Sequence, residues 1–74
     1  MRERLLDVFR RTFEDVKINE SISQKNYENW DSLNHINLIV EIENEFNISI
    51  EPDDIDKMKD FSTVEKIVMG KSGN

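Results

Sequence analysis

An all-α fold of four helical segments, with a long first loop and a short third helix, is what this sequence predicts. Three observations carry the expectation. Apolar residues recur at three- and four-residue steps through two long stretches, 2–16 and 32–46. Only Ile48-Ser49-Ile50 alternates like a strand, and it is too short for a sheet and has no partner. Cap signals in the last third open two further helices. A length of 74 residues allows one hydrophobic core, so residues 1–74 are expected to form one domain with 71–74 as a frayed tail.

In the first helix, 2–16, Leu5, Leu6, Phe9, Phe13 and Val16 make one apolar stripe, and no residue from Leu5 to Val16 is a helix breaker. Residues 17–31 have no sustained period and are rich in Asn and Ser. Connections longer than about 12–15 residues are uncommon and often functional. Ile18, Ile22, Tyr27 and Trp30 are spaced to pin this segment, so an ordered loop is expected. The second helix, 32–46, starts with Asp31 or Ser32 as its cap and stops at Asn47, which suits a left-handed position. Its wheel has two apolar faces: Leu38, Ile39, Ile42 and Phe46 toward a core, and Leu33, Ile36 and Val40 nearly opposite. Glu43 flanks the second strip, while Glu41 and Glu45 lie between the faces. An apolar strip beside acids is a docking surface when nothing else covers it. Pro52 with Asp53 and Asp54 starts a short helix near 52–58, with Ile55 and Met58 inward. Ser62-Thr63-Val64-Glu65 has capping-box spacing and opens the last helix, with Val64, Ile67 and Val68 inward and a stop at Gly70.

Charge narrows the classes of function. The formal net charge is −6, which argues against a nucleic-acid partner and for basic patches on protein partners. The charges are unevenly placed: residues 18–56 hold ten acidic side chains and one basic, Lys25. With no cysteine there is no thiolate nucleophile, disulfide framework or cysteine zinc site, which fits a cytoplasmic protein. No apolar run approaches the roughly 18 residues of a membrane span, and Met1-Arg2-Glu3-Arg4 does not begin a signal peptide.

Ser32 is the residue whose chemistry needs explaining. A serine nucleophile requires a base and a third, orienting group. His35 is the one histidine, and Asp31 is adjacent, but a chain this small offers no walled pocket or oxyanion hole. The wheel also turns His35 toward the core side, where a polar residue packing beside the loop is the simpler reading. Glu51, Asp53, Asp54 and Asp56 form an acidic group, yet a calcium loop started at Asp54 would need glycine where Lys59 stands. No metal site and no catalytic residue is therefore assigned. Covalent attachment fits better. A phosphodiester on Ser32 would sit at the electropositive start of a helix, beside the strip Leu33, Ile36 and Val40.

Taken together, Asp31-Ser32-Leu33, the helix end Glu43-Asn44-Glu45-Phe46, the segment Ile50-Glu51-Pro52-Asp53-Asp54 and the start Ser62-Thr63-Val64 resemble an acyl carrier protein, from the first helix to Val68. The resemblance implies a four-helix bundle with a short third helix. It implies 4′-phosphopantetheine joined through a phosphodiester to Ser32, installed from coenzyme A by a phosphopantetheinyl transferase with magnesium. The arm's thiol would carry acyl groups as thioesters, which supplies the sulfur that the sequence lacks. By position, Asp31, Leu33, Ile36, Val40 and Glu43 would contact the transferase and the acyl-loading and acyl-modifying enzymes of fatty-acid-like, polyketide or other specialised biosynthesis. The expected molecule is a monomer and not a catalyst. An aminoacyl or peptidyl carrier has the same architecture, and an unmodified acidic interaction module is the rival of another class. Asn29-Trp30 replaces the small residues that precede the motif in many fatty-acid carriers. Asn34, Asn37 and Asn44 stand where acids are frequent, and the segment from Phe46 to Ser62 is slightly long. These departures favour a specialised carrier.

Overall fold

A computed structural model describes residues 1–72, with only the backbone of residue 72. Helices α1 (Arg2–Phe13), α2 (Ser32–Phe46), α3 (Pro52–Lys57) and α4 (Phe61–Ser72) surround one apolar core, and no strand forms among the described residues. Of the expected 71–74 tail, Lys71 and Ser72 are helical and the rest lies outside the described residues.

The core is built from the stripe of α1, one face of α2, and Phe61, Val64 and Val68 of α4, with Met58 between α3 and α4. Val8, which the sequence pattern left out of the stripe, is fully buried with Leu5 and Phe9. An aromatic cluster joins α1 to the long loop and to α4. The Phe9 ring lies 5.3 Å from Trp30, edge to face, and 5.4 Å from Phe61, and Phe13 lies 5.3 Å from Tyr27. Such edge-to-face contacts stabilise beyond the area they bury.

Three helix ends differ from expectation. Helix α1 stops at Phe13, and Glu14 takes the left-handed conformation (φ 54°) with its N–H on the Arg10 carbonyl. The Asp15 N–H closes on the same carbonyl. The turn buries Ile18 and leaves Val16, read as core, 85% exposed. Helix α4 starts at Phe61, because Asp60 Oδ1 accepts from the Thr63 N–H at 2.8 Å. Glu65, the expected partner in a capping box, instead accepts from Arg2 at 2.9 and 3.0 Å. Helix α4 also runs through Gly70 to Ser72, and Lys71 pairs with Asp54 of α3 at 3.3 Å. Asn47 does end α2 in the left-handed region (φ 55°).

The long loop is ordered. The Gln24 N–H donates to the Lys59 carbonyl at 2.9 Å and the Phe61 N–H to the Ile22 carbonyl at 3.0 Å, so the loop is tied to the α3–α4 connection. Tyr27 Oη donates to Asp15 at 2.7 Å. That bond and the Lys17 N–H hold the Asp15 carboxyl below its usual range, while burial, with Asp15 beside it, pushes the Tyr27 phenol up.

Candidate functional site

Asp31 opens α2. Its backbone is extended, and its Oδ1 accepts from the Asn34 N–H at 2.9 Å. The cap is thus Asp31, leaving Ser32 as the first helical residue. Ser32 is exposed. Among the described residues its hydroxyl has no hydrogen-bond partner, and the amides of Ser32 and Leu33 have no acceptor. A free hydroxyl beside two free amides at a helix start suits a phosphoester, because the amides and the helix dipole favour the anion.

The position of Ser32 is set by Trp30. The indole is 3% exposed and packs on Phe9 and Phe13. Its Nε1–H donates to His35 Nδ1 at 2.9 Å. An indole N–H can only donate, so Nδ1 accepts and the ring proton sits on Nε2. Nε2 donates in turn to the Ile55 carbonyl oxygen of α3 at 2.9 Å. His35 therefore connects the loop, α2 and α3, with no part in a serine–base pair. An open pocket of about 520 Å³ lies beside Ser32, lined by Gln24, Trp30, Asp31, His35, Ile36, Ile55 and Asp56. Gln24, Ile55 and Asp56 come from distant stretches of chain, and no local spacing signals them.

Along α2 the two apolar faces separate as the wheel predicts. Leu38, Ile39 and Ile42 are buried, whereas Leu33, Ile36 and Val40 are 72%, 53% and 47% exposed. Glu43, expected on the edge of the strip, is half-buried, and its Oε2 accepts from the Ile50 N–H at 2.8 Å. It fastens the α2–α3 loop with that oxygen. Glu41 and Glu45 face α1. Glu45 Oε2 lies 3.1 Å from Arg4 Nε, and Arg11 Nη2 lies 3.5 Å from Glu41 and 3.6 Å from Glu45. No three acidic or histidine side chains converge to hold a metal among the described residues, and none of the helices there is long and apolar enough to cross a membrane.

An exposed serine at the start of a helix, followed by an uncovered apolar strip on a small helical bundle, is an arrangement that suits a carrier domain. Residues 3–68 match the model of the phosphopantetheine attachment site family. The fold is similar to that of a holo acyl carrier protein from Geobacter metallireducens, solved by solution NMR, with a TM-score of 0.84 and 31% sequence identity over 93% of this chain and 82% of that one. No curated protein sequence matches the chain closely enough to count. The chain belongs to the acyl carrier protein family, whose covalent cofactor is 4′-phosphopantetheine.

Proposed function

We propose that Ser32 is the attachment residue and that the protein, not itself a catalyst, delivers acyl intermediates to partner enzymes. The observation that supports this most directly is the exposed Ser32 hydroxyl, unengaged among the described residues and next to two free amides. Once attached, the arm supplies a thiol for thioester formation. The chain's own residues hold and present it. Asp31 fixes the helix start, Trp30 and His35 fix the loop before it, and the tether raises the local concentration of one intermediate at successive enzymes. Asp31, Leu33, Ile36 and Val40 meet the partners, and Glu43 adds the oxygen not engaged with Ile50. We place this single-domain monomer in the cytoplasm, in a specialised acyl pathway, because the first two turns of α2 carry amides where acids would serve a generic basic patch.

Incubation with coenzyme A, magnesium and a broad-specificity phosphopantetheinyl transferase, read by intact mass, tests the attachment. Wild type gains one phosphopantetheine and Ser32→Ala gains none. A gain that persists in Ser32→Ala moves the site, and no gain on wild type with several transferases removes the reading. Elongation of acyl groups on the loaded protein by a housekeeping fatty acid synthase is expected to be slow, and efficient elongation would refute the specialised role.

A further inference from the structure

We infer that the docking face is divided by charge: partner enzymes read residues 33–40 of α2 through an apolar, amide-bonding surface and place cationic side chains beside Ser32, opposite Asp31 and Asp56. The inference rests on the carrier function proposed above and specifies the chemistry of its partners.

Residues 32–40 contain no acidic or basic side chain except the histidine His35, and that ring is held between Trp30 and Ile55. Leu33, Ile36 and Val40 are exposed there with Asn37 among them; Asn34 is half-buried, donating to the Asn29 carbonyl and accepting from Asn37 at 3.3 Å, so the Asn37 amide oxygen is the one left for a partner. Farther along α2 the charges are cancelled from within. Arg4 and Arg11 of α1 stand within 3.6 Å of Glu41 and Glu45, two cations against two anions. Exposed ion pairs are weak individually. The cancellation does not depend on their strength, because opposite charges this close leave little net potential at a partner's distance. Glu43 is partly withdrawn by its bond to the Ile50 amide.

The strip also continues past Val40 into an open groove of about 360 Å³ between α1 and α2, lined by Arg11, Thr12, Asn37, Val40 and Glu41. Arg11 and Glu41 balance its charge, so the groove gives a lysine or arginine no net attraction, and Asn37 offers an amide to a neutral, hydrogen-bonding side chain.

The serine end is different. Asp56 is exposed, lines the pocket beside Ser32, and has no ion-pair or hydrogen-bond partner for its carboxylate among the described residues. Asp31 is exposed and bonded only to a backbone amide. Two carboxylates without a cation partner among the described residues therefore stand at the attachment point, where they can orient the approach without binding the whole helix.

The test measures the KM for phosphopantetheinylation by one broad-specificity transferase at several salt concentrations, with urea melts to confirm folding. Leu33→Ala and Ile36→Ala are expected to raise KM about tenfold at every salt concentration. Asp31→Asn, which keeps a capping side chain, and Asp56→Asn are expected to raise it about three- to tenfold at low salt and to flatten the salt dependence. The paired neutralisations Arg11→Gln with Glu41→Gln and Arg4→Gln with Glu45→Gln, which keep the local charge balance, are expected to change it by less than about twofold. If these paired variants raise KM as much as Asp56→Asn, with the same loss of salt dependence, the division by charge is wrong while the carrier function stands. If wild type is not modified at all, the carrier function fails and this inference fails with it.

Discussion

Trp30 contributes to the core with its rings and to the site with its one N–H. The rings pack against both Phe9 and Phe13, and the N–H orients His35, which reaches the third helix. Trp30→Phe keeps much of the apolar contact and leaves Nδ1 of His35 without the indole donor. It is expected to lower stability by about 1–2 kcal/mol, read as a lower urea midpoint with unchanged slope. The His35 ring ¹⁵N shifts should change in the same variant, which a simple packing loss would not produce. The sequence already marked Trp30 as a loop anchor and His35 as a polar residue packed beside the loop. It did not show the link from His35 to α3, because Ile55, the third member, arrives from a separate helix.

Helix ends show where local chemistry suffices and where it does not. Asn47 and Pro52 have strong intrinsic preferences, and both stand where those preferences lead. Glu14 has no preference for the left-handed region it occupies, so its position is imposed by the burial of Ile18 and by Tyr27 reaching Asp15. Glu14→Gly should relieve that strain and raise stability by about 0.5–1 kcal/mol in urea melts. At the start of α4, Asp60 is the cap. The bonds from Thr63, chiefly its N–H, hold the Asp60 carboxyl below the usual carboxylate range. Asp60→Ala should cost about 1 kcal/mol by the same measurement. Two capping patterns overlapped in the sequence, at Asp60 and at Ser62, and the pairing of Glu65 with Arg2 chose between them.

Charges that lie far apart in the sequence meet in the folded molecule. Arg4 and Arg11 of α1 reach Glu45 and Glu41 of α2, which removes part of the repulsion that residues 18–56 would otherwise concentrate. The formal net charge is still −6, so added salt or magnesium should raise the melting temperature near neutral pH, and a melting temperature indifferent to both would show that the remaining acids are too far apart to interact. Acid has a second effect. Asp15, Asp60 and Glu65 are all held below their ordinary values of 3.8 and 4.5, by Tyr27, by the Thr63 amide and by Arg2 respectively. A carboxylate with a lowered folded value contributes stability above its ordinary value and loses it as pH falls through the folded one. The melting temperature should therefore fall as pH drops below about 4.5, and Asp60→Asn and Glu65→Gln should flatten that decline.

By itself the sequence determined the four helices and the two apolar faces of α2, one of them the strip beginning at Leu33. Each of these follows from periodicity and caps within one segment. That the strip stays uncovered is a tertiary fact. Asp31-Ser32-Leu33 with its downstream segments also determined the family, which the match over residues 3–68 shows independently. The tertiary structure alone decided where α1 stops, which residue caps α4, how His35 is used and which acids of α2 remain available. All of those depend on partners from distant parts of the chain. A side chain's periodicity is fixed by its neighbours in sequence, whereas the fate of its charge or hydrogen bond is fixed by what folding brings within reach of it.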